Sequence, residues 1–262
     1  MSEIVERTVW RWPGGAPEPD PVVREEPLEI RIDDRPLAVT LRTPGDDLDL
    51  AAGFLWTEGV IDGPDDLVAL AHLPGDPAGN TVVARLAGGV EAHLEAIRRA
   101  TRELWATSAC GICGKASLDR VHLLAPPVHA WEPDPRVLGL LPERLRASQR
   151  SFGATGGIHG AALFDDEGGC RVAREDIGRH NAVDKVLGAC LRADAAPLER
   201  TILAVSGRAG FEIVQKAAMA GVGVVVAFGA ASDLAIDLAS RAGIVLIGFL
   251  KPDRHTRYTA PG

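Results

Sequence analysis

The chain has 262 residues and a mass of 27.6 kDa, with 46% hydrophobic and 24% charged residues, a composition that fits one large or two modest folded domains and excludes disorder, collagen and coiled coil. Its longest charge-free stretch, Ala217 to Ser232, runs sixteen residues and includes three glycines, short of the roughly 20 apolar residues of a membrane span, so no membrane association is expected. A net charge of -8 and a pI near 5.4 argue against wholesale binding to nucleic acid; an anionic ligand has to find a local basic patch.

The opening stretch, MSEIVERTVWRWPGG, is charged and has no apolar h-region, so a cytoplasmic protein is expected. Leu28 to Ile32 alternates apolar and polar, Asp33-Asp34-Arg35-Pro36 supplies a turn and Leu37 to Leu41 alternates again, which predicts an antiparallel hairpin. The period then changes. Leu48, Leu50, Ala51, Phe54, Leu55 and Val60 approximate one face of a helix over Asp47 to Val60, stopped by Gly59 and Pro64. Thr81 to Leu86 reads as a short strand. Four prolines fall within the eleven residues from Ala125 to Pro135, which predicts a linker between an N-terminal α+β domain, 1–130, and a C-terminal domain, 131–262.

Beyond the linker, Pro142 to Phe152 suits a helix, and Ala161 to Asp165 and Arg171 to Arg174 suit strands. His180 to Leu191 has helical spacing at Val183, Val186, Leu187 and Cys190. Thr201–Val205, Phe211–Ala220, Val222–Phe228, Asp233–Ala242 and Ile244–Phe249 then alternate strand, helix, strand, helix, strand. These three strands are near-continuous runs of Val, Ile, Leu and Ala, as expected where helices cover both faces of a sheet. The fold class expected is α/β, with a three-layer C-terminal domain built on at least three parallel strands.

Sheets of this kind bind ligands at the carboxyl ends of their strands, which directs attention to Ser206-Gly207-Arg208-Ala209-Gly210, the loop after Val205. Its glycines permit close backbone approach and Arg208 can fork onto a phosphate; a solvated arginine in an ordinary turn is the competing reading. A denser cluster runs from Arg174 to Lys185. Here Arg179, His180, Asn181, Asp184 and Lys185 crowd a strand-to-helix junction after Gly178, a mix that fits a polar anionic ligand better than a surface of ion pairs. His159, in Thr155-Gly-Gly-Ile-His-Gly160, either approaches a ligand closely or sits satisfied at a strand entrance.

Of the four cysteines, Cys110 and Cys113 form a Cys-x-x-Cys in Ser108-Ala-Cys-Gly-Ile-Cys-Gly-Lys115, while Cys190 reads as a core residue and Cys170 lies on an expected strand. Glycines after both Cys110 and Cys113 can present the sulfurs outward, and a helix beginning near Lys115 would raise their thiolate fraction. Reactive sulfur ranks first. Zinc needs four ligands, and His122 and His129 stand at no recognisable spacing; a structural loop ranks third. Access favours Cys110 as the attacking thiol, with Cys113 assisting.

Five segments together resemble the formate dehydrogenase accessory sulfurtransferase family, FdhD: Cys-Gly-Ile-Cys-Gly at 110–114, Thr-Gly-Gly-Ile-His at 155–159, Arg-Glu-Asp-Ile-Gly-Arg-His-Asn-Ala-Val-Asp-Lys at 174–185, Ser-Gly-Arg-Ala-Gly-Phe-Glu-Ile-Val-Gln-Lys at 206–216 and the tail from Gly248. The first hundred residues match only in layout. The resemblance implies a carrier that accepts persulfide sulfur from a cysteine desulfurase and delivers it to the bis(molybdopterin guanine dinucleotide) molybdenum cofactor before insertion into the catalytic subunit of formate dehydrogenase. It also implies a cytidine-deaminase-like C-terminal domain and a homodimer, and makes GDP a surrogate ligand. Its cofactor site would comprise His159, Arg179, His180, Asn181, Asp184, Lys185, Ser206, Gly207, Arg208 and the segment Phe249, Leu250, Lys251, Pro252, Asp253 and Arg254. The family tail usually reads Gly-Phe-x-Arg; here Lys251 stands at the arginine position and Arg254 follows. No resident metal is expected: His159 is followed by Gly160 and Ala161, so the His-x-Glu of a zinc deaminase is missing. A cofactor-binding chaperone without sulfur chemistry and a thiol–disulfide oxidoreductase are the alternatives.

Overall fold

The computed structural model describes residues 3–100, 126–129, 131–195 and 198–259. The expected hairpin is present as β3 (Glu26–Ile32) and β4 (Arg35–Arg42), but an earlier one precedes it, β1 (Ile4–Trp10) and β2 (Pro17–Val23), paired from Ile4 opposite Val23 to Trp10 opposite Pro17. Sequence reasoning passes over β2 because prolines at 17, 19 and 21 argue against a strand. At every second position, however, each missing N–H can face away from β1 and no ladder bond is lost. Helix α1 (Asp47–Thr57) follows, three residues shorter than expected. Strands β5 (Leu67–His72) and β6 (Thr81–Leu86) complete a four-stranded sheet ordered β4-β3-β6-β5, in which β3 and β6 run parallel. A short α2 (Gly89–Ala92) leads into helical residues 94–100.

The proline-rich segment does not remain a linker to its end. Asp134 accepts a hydrogen bond from the Arg136 N–H at 2.8 Å and Pro135 occupies the first turn of α3 (Pro135–Ser148), seven residues before the expected start. An Asp-Pro pair is a helix entry as readily as a loop, since the fixed φ of proline suits the first turn and its missing N–H would be unpaired there. A break at Gln149 separates α3 from α4 (Arg150–Thr155). Upstream, the Val128 N–H bonds the Ala242 carbonyl at 2.9 Å.

A six-stranded sheet follows, ordered β12-β11-β10-β9-β7-β8. Its strands are β7 (His159–Phe164), β8 (Cys170–Asp176), β9 (Ile202–Val205), β10 (Val224–Ala227), β11 (Val245–Gly248) and β12 (Thr256–Arg257). The expected parallel strands are β9, β10 and β11, and β7 joins β9 antiparallel. Successive side chains point to opposite faces, and the apolar runs serve two cores accordingly. Leu203, Val205, Val225, Ala227 and Leu246 pack with α5 (Arg179–Arg192), α6 (Phe211–Met219), α7 (Asp233–Ala242) and α1. Ile202, Ala204, Val224, Val226, Val245 and Ile247 pack under Leu138, Leu141 and Leu145 of α3. The result is a mixed α/β fold with helices on both faces of the larger sheet.

The first core is continuous with the smaller sheet, holding Leu28, Leu55 and Val82 together with Val183 and Leu246. Helices α1 and α5 cross so closely that a Cβ on Gly53 would overlap the Asp184 carbonyl and one on Gly188 would overlap that of Asp49. Buried ion pairs reinforce the crossing. Lys216 lies 2.9 Å from both Asp184 and Glu58, and the Thr57 hydroxyl donates to Asp184 at 2.8 Å. Lys185 lies 2.8 Å from Asp176 and donates to the Thr43 carbonyl at 2.9 Å. Burial works against the Lys216 ammonium, yet Asp184 and Glu58 together hold it protonated, with its pKa raised.

Candidate functional site

Three parallel strands end side by side, and hydrogen bonds tie the loops after them into one surface. The Gly229 N–H donates to the Gly207 carbonyl at 2.9 Å, that of Ala209 to Ala230 at 3.0 Å, and that of Phe249 to Gly229 at 2.9 Å. From the opposite direction β7 begins at the same edge: the Ser206 N–H donates to the Gly160 carbonyl and the Gly160 N–H to the Ser206 Oγ, both at 2.9 Å. The loops come this close because residue 229 is glycine. A Cβ on Gly229 would stand 3.1 Å from the Gly207 oxygen and 3.2 Å from the Arg208 Cα, tighter than ordinary contact.

Helices α5 and α6 also start here. His180 Nε2 and Glu212 Oε2 are 2.9 Å apart, and that hydrogen bond, ahead of the opposing effect of burial, lowers the Glu212 pKa. A Cβ on Gly207 would lie 3.5 Å from His159 Nδ1 and 4.0 Å from Arg179 Cδ, so His159, Arg179 and the 206–208 loop are neighbours. Burial first, then the charges of Arg179 and His180, lower the His159 pKa, and its imidazole is neutral at neutral pH. Two clefts open on this edge. One, about 380 Å³, is lined by Arg146, Gln149, Phe152, Gly156, Gly157, Ile158, His159, Ser206 and Phe228; the other, about 260 Å³, by Phe249, Lys251, Arg254, His255 and Thr256. Phe249 is 50% exposed and holds a left-handed φ of 50°, costly for a bulky residue. A turn closed by the Lys251 N–H on the Arg254 carbonyl at 2.9 Å carries Lys251, Pro252, Asp253 and Arg254, all exposed.

The expected ligand set is thus divided. His159, Arg179, His180, Ser206, Gly207, Arg208, Phe249 and the Lys251–Arg254 turn gather at the strand ends. Four residues do not face this edge as ligands. Asp184 and Lys185 are buried in the ion pairs that hold α5 to the first half of the chain. Asn181 donates to the Leu41 carbonyl at 2.8 Å and to Asp176 at 3.1 Å, joining β4 to α5. Leu250 is a core residue under α3. Cys110 and Cys113 lie outside the described residues. Cys190 is buried, which pushes its thiol up to about 11, while Cys170 is exposed.

Sequence reasoning missed Arg146, Gln149, Phe152 and Phe228. The first three fall at intervals of three residues, a common face across the α3–α4 break, and the Arg146 guanidinium stands 4.1 Å over the Phe152 ring.

Together these features define a mixed α/β protein with a glycine-lined cleft and a cation-bearing one at the carboxyl edge of its parallel strands. A family model described as the FdhD/NarQ family matches residues 23–262. "Sulfur carrier protein FdhD" of Streptomyces avermitilis is 50% identical over 248 residues, 89% of this chain and 85% of that one. The protein of the same name from Anaeromyxobacter dehalogenans strain 2CP-C is 47% identical over 97% of this chain and 91% of that one. A crystal structure of a chain described as a formate dehydrogenase accessory protein, from Desulfotalea psychrophila, superposes with a TM-score of 0.76 at 24% identity, covering 98% of this chain and 96% of that one, and shows the same fold. The chain belongs to the FdhD/NarQ family. None of the described helices is long and apolar enough to cross a membrane.

Proposed function

We propose that this protein is a sulfur carrier that takes sulfur from a cysteine desulfurase and transfers it to the bis(molybdopterin guanine dinucleotide) cofactor before its insertion into formate dehydrogenase. The observation that carries this reading is family membership at 50% identity to a relative named a sulfur carrier protein, joined to a Cys-x-x-Cys in this chain. In the receiving step the Cys110 thiolate attacks the outer sulfur of the desulfurase persulfide. A new S–S bond forms on Cys110, the old one breaks, and the desulfurase cysteine leaves as a thiolate. The cargo rests at the strand ends. Arg208, Lys251 and Arg254 supply positive charge for its phosphates, Arg179 adds charge beside His159, and the glycines let the backbone approach. The working unit is a cytoplasmic homodimer whose partners are the desulfurase and the catalytic subunit of formate dehydrogenase.

Incubation with a desulfurase and cysteine, followed by intact-mass measurement, tests the reading. One added sulfur is expected on the unaltered chain and on Cys113→Ala, and none on Cys110→Ala. Full loading of Cys110→Ala with none on Cys113→Ala reverses the two thiols. Absence of added sulfur on the unaltered chain rejects sulfur transfer.

A further inference from the structure

Hairpin β1–β2 is a ribbon of its own, joined to neither of the larger sheets. It meets the body through β2, which lies against α4; a Cβ on Gly157 would stand 3.9 Å from Val23 Cγ2. Along β1, Glu6, Arg7, Thr8 and Trp10 are exposed. Pro17, Pro19 and Pro21 oppose Trp10, Thr8 and Glu6 and have no N–H to give them, so these are the non-hydrogen-bonded pairs of the ladder, and the hairpin's own bonds run through Val5, Arg7 and Val9. The N–H and C=O groups of Glu6, Thr8 and Trp10 therefore point outward along the other edge of β1, where no strand pairs with them among the described residues.

Such an edge accepts an extended strand, and its side chains select a second copy of itself. Two copies related by a twofold axis pair β1 antiparallel, and the position of the axis fixes the register. With the axis at Glu6 two carboxylates stand directly opposite each other, and with the axis at Arg7 two guanidinium groups do, both unfavourable. An axis at Val9 sets Arg7 against Arg11, two cations again. One nearer the start of the strand calls on Glu3, whose carbonyl already accepts the Arg24 N–H at 2.8 Å and whose carboxylate accepts the Ser151 hydroxyl at 2.6 Å. With the axis at Thr8, Thr8 faces itself, Arg7 faces Val9 and Glu6 faces Trp10, so no like charges meet. Thr8 then exchanges both N–H···O bonds with its counterpart, and the Trp10 ring comes within diagonal reach of Ile4 and Thr8 of the second copy.

We infer that the outer edge of β1 is the contact between two copies of this chain, paired antiparallel about a twofold axis at Thr8 so that two hairpins form one continuous sheet. The inference gives the homodimer of the proposed function its surface and rests on that dimer, not on the sulfur chemistry.

Sedimentation and light scattering at micromolar concentration should give the unaltered chain the mass of a dimer. Thr8→Pro takes no bond from the hairpin, whose ladder does not use this N–H, but removes both central bonds between the copies; the dissociation constant should rise at least about tenfold. Thr8→Lys and Thr8→Glu each set like charges face to face, and each should favour the monomer. An equimolar mixture of those two variants should return to dimer, because the lysine of one copy then meets the glutamate of the other. Thermal melts establish that each variant folds. Dimers that survive both Thr8→Pro and Thr8→Lys overturn the role of β1 while the homodimer stands. Weakening without recovery in the mixture overturns the axis at Thr8. A monomeric unaltered chain overturns the inference and the homodimer together, and leaves sulfur loading, read by intact mass, untouched.

Discussion

At the scale of single residues the informative group is His159. Its ring stands half-buried beside Arg179 and His180, and a lowered pKa keeps it neutral. An anionic ligand adds negative charge close by and raises that pKa, so between the two values binding takes up a proton. Affinity for a nucleoside diphosphate should therefore improve as pH falls through the ordinary histidine range and become flat above it. Titration calorimetry in buffers of different ionisation enthalpy reads the uptake directly, and His159→Gln should remove it. A pH slope that survives this substitution assigns the proton to a group other than His159.

Among the elements, the α1–α5 crossing decides where the start of α5, with Arg179 and His180, is held. Alanine is the better helix former by about 1 kcal/mol, so on propensity alone Gly188→Ala would stabilise. The crossing reverses the sign: the added methyl meets the Asp49 carbonyl, and a net loss of about 1–3 kcal/mol is expected in urea unfolding. A stabilised variant would show that the helices can part without loss. Legibility in the sequence follows the same division between local and distant causes. The three parallel strands and the loop at 206–210 were readable because β-branched runs and glycine-flanked turns are local signals. The start of α3 was misread, since Asp-Pro serves loops and helix entries alike. Asp184 and Lys185 were expected in the cleft because a charged pair on a helix looks the same whether it meets a ligand or a partner. Their partners, Lys216, Thr57, Asp176 and Thr43, lie between 9 and 142 positions away along the chain.

For the molecule as a whole, a shared core and buried charges span the four- and six-stranded sheets, so a single cooperative unfolding transition is expected. Lys216 is the sharpest probe of that union, because it binds Glu58 from the first half and Asp184 from the second. Lys216→Met leaves both carboxylates without their cation and should cost about 3–5 kcal/mol. Far-ultraviolet circular dichroism and tryptophan fluorescence should still report one transition, since the apolar core remains continuous. Two separated transitions in the unaltered chain would divide it into independent domains. A different constraint on how copies of the molecule can meet comes from the first hairpin. Trp10 and Trp12 near its turn are 69% and 92% exposed, and a two-stranded ribbon with such residues invites self-association through added strands. Along the outer edge of β2, unpaired with any strand among the described residues, Pro17, Pro19 and Pro21 withhold the donor at three of the four outward positions and leave only that of Val23, so an incoming strand would find acceptors without most of the N–H groups that should alternate with them. The prolines that hide this strand in the sequence thus guard it against amyloid-like stacking, and strand addition along β2 is disfavoured as a way for two copies to meet.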